Sequence, residues 1–69
     1  MDAIEQTERT MEENAVKAGG TVVGWTWYGS LWVWYPTSDG SYEDMRQRLM
    51  RVNQLHDQHV SLMTEVNVV

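Results

Sequence analysis

All four tryptophans of this 69-residue chain fall within ten positions, as Trp25-Thr26-Trp27 and Trp32-Val33-Trp34, and no other feature restricts the fold as tightly. They sit in a run from Thr21 to Tyr35 dominated by β-branched and aromatic residues, broken by Gly29-Ser30 and closed by Pro36. Such residues suit a pleated, half-buried surface, and a glycine-containing break between two of these runs marks a β-hairpin. With Gly29-Ser30 as a two-residue I′ or II′ loop, the expected cross-strand partners are Tyr28 with Leu31, Trp27 with Trp32, Thr26 with Val33 and Trp25 with Trp34. The four indoles then share one face, at the non-hydrogen-bonded sites where cross-strand side chains approach most closely.

This spacing resembles the designed tryptophan-zipper hairpins, in which two cross-strand indole pairs interlock on one face. The likeness covers ten of the 69 residues and departs from those peptides in its Gly29-Ser30 turn. It implies a hairpin register and carries no function.

Helical segments flank the hairpin. From Asp2 to Ala18 the residues are good helix formers, with Ile4, Met11, Ala15 and Ala18 on one face, acids in the early turns, and Gly19-Gly20 as a stop. After the turn Thr37-Ser38-Asp39-Gly40, Ser41 and Asp44 form an N-terminal cap. Tyr42, Met45, Leu49, Val52, His56, His59, Met63 and Val66 then alternate spacings of three and four, and Leu55 and Leu62 widen the stripe. The expectation is a single α+β domain over 1–69, of order α-β-β-α, with a helix over about 2–18, a hairpin over about 21–35 and a helix over about 41–64. The second helix would be about 36 Å long, whereas a compact chain of this length has a radius of gyration near 11 Å. Its far end therefore needs apolar cover, and a second protomer is the simplest source. The expected homodimer contact is Leu49, Val52, Leu55, His56, His59, Leu62, Met63 and Val66.

Composition narrows the function. Ten acids against five bases leave a net charge of −5, which disfavours direct nucleic-acid binding because phosphate affinity comes from lysine and arginine. Arg46, Arg48 and Arg51 fan around their helix and form no basic face, although Arg48 falls inside the apolar arc, where it calls for a carboxylate or a partner. No stretch approaches the ~20 apolar residues of a membrane span, and the chain lacks cysteine. A cytoplasmic protein with no disulfide is expected. There is no cysteine nucleophile, no G-x-S-x-G elbow and no glycine-rich phosphate loop, so a non-enzyme without cofactor is expected. His56 and His59 share one side of a helix but lack the third and fourth ligands zinc requires, and no metal site is assigned.

The tryptophan face is read as core against both helix stripes. The opposite hairpin face would then carry Thr26, Tyr28, Leu31, Val33 and Tyr35, too aromatic to be left in water. The expected function is protein recognition of a partner of unknown identity through Tyr28, Leu31, Val33 and Tyr35 with nearby Asp39 and Tyr42, in the manner of small phage or mobile-element inhibitors that occupy a surface of a larger protein. Two alternatives stand beside it: an acidic nucleic-acid mimic acting through Glu5, Glu8 and Glu12, and a purely structural homodimer subunit.

Overall fold

The computed structural model describes residues 2–67, with side chains through Thr64. Its elements run α1 (Ala3–Lys17), β1 (Thr21–Trp25), β2 (Leu31–Trp34) and α2 (Tyr42–Asn67), an α+β arrangement in the expected order. Helix α1 starts where the Asp2 carboxylate accepts the Glu5 N–H at 2.8 Å. It ends in a Schellman motif: Gly20 N–H donates to the Ala15 carbonyl, Gly19 N–H to that of Val16, and Gly19 takes φ +91°. Helix α2 opens on the Ser41–Asp44 cap, the Ser41 hydroxyl accepting the Asp44 N–H at 3.1 Å, and it runs three residues past Thr64, the expected end.

The hairpin register differs from the expected one. Thr21 pairs with Trp34 and Val22 with Val33; after a bulge at Val23, Gly24 pairs with Trp32 and Trp25 with Leu31. The loop is the three residues Trp27-Tyr28-Gly29, with Thr26 N–H donating to the Ser30 carbonyl, Gly29 N–H to the Thr26 carbonyl, and Ser30 N–H to the Thr26 hydroxyl. Gly29 at φ +86° is the left-handed residue that ends such a loop, whereas a two-residue I′ loop would also demand a positive φ at Ser30. Between the loop and the bulge the pairing slips by three residues, an odd number, so side chains there change the faces they share, and beyond the bulge the slip is four. Trp25 now lies with Leu31 and Val33, Trp32 with Trp34 on the opposite face, and Trp27 leaves the ladder. No tryptophan zipper forms, and the four indoles do not share a face.

Both faces are covered instead. On one, the Trp25 indole donates to the Glu12 carboxylate of α1 at 2.6 Å, and Val33 and Tyr35 crowd Gly20, where a Cβ would collide with both. On the other, Leu49 of α2 sits so close over Gly24 that a Cβ there would lie 2.8 Å from Leu49 Cδ2, and Trp34 meets Tyr42 edge-on at 6.3 Å while its indole donates to the Gly40 carbonyl. The hairpin thus lies between two helices. Among the described residues only Ala15, Leu49 and Thr26 are buried, and none fully. The Cα radius of gyration is 15.3 Å, well above the ~11 Å of a compact chain of this length, because α2 overhangs the hairpin.

Candidate functional site

The hairpin tip is fixed by α2. Asn53 donates from Nδ2 to the Trp25 carbonyl at 3.0 Å and accepts the Trp27 N–H on Oδ1 at 2.9 Å, so one side chain takes both backbone groups freed where the strand gives way to the loop. One turn later the His56 imidazole stacks on the Trp27 indole, with centroids 4.0 Å apart and planes 5° from parallel. Tyr28 meets Trp27 edge-on at 5.3 Å. These contacts hold the tip without hiding it: Trp27 is 56% exposed and Tyr28 55%.

Beside the tip, on the α1 side, lies an apolar cleft of about 510 Å³. Ile4 and Met11 of α1, Trp25, Trp27 and Gly29 line it, and Glu8 closes one edge. Ile4 is 71% exposed, a large aliphatic side chain offered to water at the mouth of a concave apolar surface. Glu5, Glu8 and Glu12 fall along one shoulder of α1, at helical spacings of three and four. Among the described residues the single ion pair is Arg46 with Glu43, at 3.4 Å, so these glutamates form none, although Arg9, within one turn of all three, offsets part of their charge.

The six residues expected to bind a partner are not brought together. Leu31, Val33 and Tyr35 are half-buried on the face that α1 covers, Tyr42 lies half-buried on the other face against Trp34, and Tyr28 and Asp39 are exposed near opposite ends of the hairpin. The expected free hairpin face does not exist because α1 lies over it. The single stripe expected on α2 also divides. Leu49 is buried against the chain's own hairpin, and Val52 and His56 are half-buried, while Leu55, His59, Leu62 and Met63 are exposed; the side chain of Val66 lies outside the described residues. His56 and His59 separate in role, since His56 is taken by Trp27. Among the described residues no three His, Cys, Asp or Glu side chains group to hold a metal ion. Arg48 is exposed and forms no ion pair among the described residues.

Sequence reasoning missed Asn53 and the cleft. Asn53 is a polar residue one turn before His56 on the hairpin side of α2, an interruption that signals a buried hydrogen-bonding duty. Ile4 and Met11 read as ordinary core because nothing in their spacing shows that the hairpin stops short of them. Among the described residues no helix is long and apolar enough to cross a membrane. Comparisons with protein-family models, with curated proteins and with solved structures find no match.

Proposed function

We propose that this chain is a non-enzymatic protein-recognition module that works in the cytoplasm and receives a segment of a larger protein in the cleft between α1 and the hairpin tip. The observation that carries this reading is the continuity of exposed Ile4, Met11 and Trp27 around one concave surface whose aromatic wall is already held by Asn53 and His56. A pre-ordered indole loses little freedom on binding, which is why rigid tryptophan and tyrosine serve as anchors at interfaces. The chemistry of the guest follows from the walls. An apolar floor beside a shoulder of three glutamates against one arginine, Arg9, suits an amphipathic helix with leucine-like residues on one side and lysine or arginine flanking them. Occupying such a segment would block whatever else it binds, which is the action of a small inhibitor of the phage or mobile-element kind.

The test uses two synthetic 16-residue amphipathic helices with the same leucine face, one flanked by lysines and one by glutamates, titrated against the purified chain by calorimetry. Binding of the lysine peptide, weakened about tenfold or more by Ile4→Gln with Met11→Gln, is the expected result; a tenfold loss corresponds to about 1.4 kcal/mol. Equal binding of both peptides, or indifference to the cleft substitutions, refutes it. Glu5→Lys with Glu8→Lys separates this reading from nucleic-acid mimicry. Reversal should abolish capture of a DNA-binding protein outright, whereas contact in the cleft should lose mainly association rate.

A further inference from the structure

Helix α2 carries two largely apolar stripes; the first is used within the chain, and the second only at Val52, which is half-buried. The hairpin-facing stripe is Tyr42, Met45, Leu49, Asn53 and His56, of which Tyr42 meets Trp34, Leu49 sits over Gly24, Asn53 bonds the Trp25 carbonyl and His56 stacks on Trp27. Rotated from it by roughly a quarter turn at 100° per residue, Arg48, Val52, Leu55, His59 and Leu62 alternate spacings of four and three, the seam of a coiled coil. Along that seam Leu55 is 54% and Leu62 60% exposed. Contacts with the hairpin end near His56, and the turns beyond it project about 16 Å at 1.5 Å per residue.

We infer that two copies of this chain associate along this second stripe of α2, with the helices antiparallel. The surface area supports a second copy as the occupant. The chain exposes 5475 Å², about 1000 Å² more than the ~4450 Å² of a folded monomer of its mass, which leaves room for the ~800 Å² that each partner contributes to a standard interface. Charge sets the direction. Helix α2 has acids in its first turn and no basic residue in its last, so the carbonyls at its C-terminal end lack a cation of their own. Antiparallel packing brings Arg48 and Arg51 of one copy beside that end of the other, with Val52 opposite the partner's Leu62 and Leu55 opposite the partner's His59. It also gives Arg48 a place: an unpaired cation in an apolar seam becomes the cation of the partner's helix terminus. Parallel packing would stack like ends together and bring both hairpins to the same end. The cleft is lined by α1 and the hairpin and by no residue of α2, so the dimer presents two clefts.

The chain has no cysteine, which makes disulfide trapping free of background. Singly substituted Val52→Cys and Leu62→Cys proteins are mixed and oxidised, and the products are compared with those of each protein alone. The expected result is a disulfide-linked dimer from the mixture and almost none from either alone, together with a wild-type mass of twice 8.0 kDa by light scattering. The variant Leu55→Asp with Leu62→Asp should run as a monomer that keeps its far-ultraviolet circular dichroism, because both side chains are exposed in the single chain. Self-linked dimers from each protein alone would overturn the antiparallel direction, and a wild-type monomer at 100 μM would overturn the association. A dimer that survives Leu55→Asp with Leu62→Asp but is lost in Ile4→Gln with Met11→Gln would overturn this seam and also show that the cleft takes a second copy.

Discussion

Replacing Asn53 by alanine should loosen the hairpin tip and cost about half of the fold's stability. The side chain makes two hydrogen bonds to the hairpin backbone, at 3.0 and 2.9 Å, each with a net contribution of about 0.5–1.5 kcal/mol. The Trp25 carbonyl is part-buried, so its loss of a donor falls toward the upper end, and the sum is about 2–3 kcal/mol. Alanine's higher helix propensity returns about 0.5 kcal/mol, leaving a net loss near 2 kcal/mol. A single core of this size supplies only about 3–5 kcal/mol in total. The melting temperature should therefore fall by roughly 8–16 °C, since 1 kcal/mol shifts it by about 4–8 °C in a domain of this length. Urea unfolding followed by tryptophan fluorescence measures the loss, with Gln54→Ala, the exposed neighbour, as a control expected within about 0.5 kcal/mol of wild type. Near-ultraviolet circular dichroism reports the tip directly, because the stacked Trp27–His56 and edge-on Trp27–Tyr28 pairs need an ordered loop. Asn53→Asp keeps the acceptor for Trp27 N–H but sets a carboxylate against the Trp25 carbonyl, and should be at least as damaging as alanine. An Asn53→Ala protein within 0.5 kcal/mol of wild type, with its aromatic spectrum intact, would refute the reasoning and leave strand register alone as what holds the tip.

Two further perturbations test the two sides of the hairpin. Gly24→Ala forces a Cβ to within 2.8 Å of Leu49 at a φ of +154°, and should cost about 1–3 kcal/mol in urea unfolding; a loss that persists in full when Leu49 is also replaced by alanine would show that backbone conformation, and not crowding, sets it. Glu12→Ala removes the acceptor of the Trp25 indole, bonded at 2.6 Å, and should cost about 1–2 kcal/mol, most of it restored by Glu12→Gln; a Gln variant as unstable as the Ala variant would contradict the hydrogen bond's role.

The order of elements was legible in the residues themselves. Ser41 as a cap, Gly19-Gly20 as a stop and the β-branched aromatic run are local signals, read within a few residues of where they act, and each appears in the structure, whereas Asp2, read as the first helical residue, proves to be the cap of α1. Hairpin register was not legible, because Gly29 serves equally as the first residue of a two-residue loop and as the left-handed third of a three-residue one. What decides between them is nonlocal: Asn53 takes the groups at the strand end, Leu49 requires a glycine beneath it, and Glu12 receives the Trp25 indole, from three different turns of two helices. The odd slip then carries Trp25 away from Trp32 and Trp34, and α1 comes to cover Leu31 and Val33. The cleft follows from the same cause. Ile4 and Met11 carry the pattern of core residues, and only the place where the hairpin ends relative to α1 leaves them open to water. Amphipathic periodicity says which side of a helix is apolar, but the lengths and offsets of the elements packed against it decide how much of that side is core and how much is left as surface.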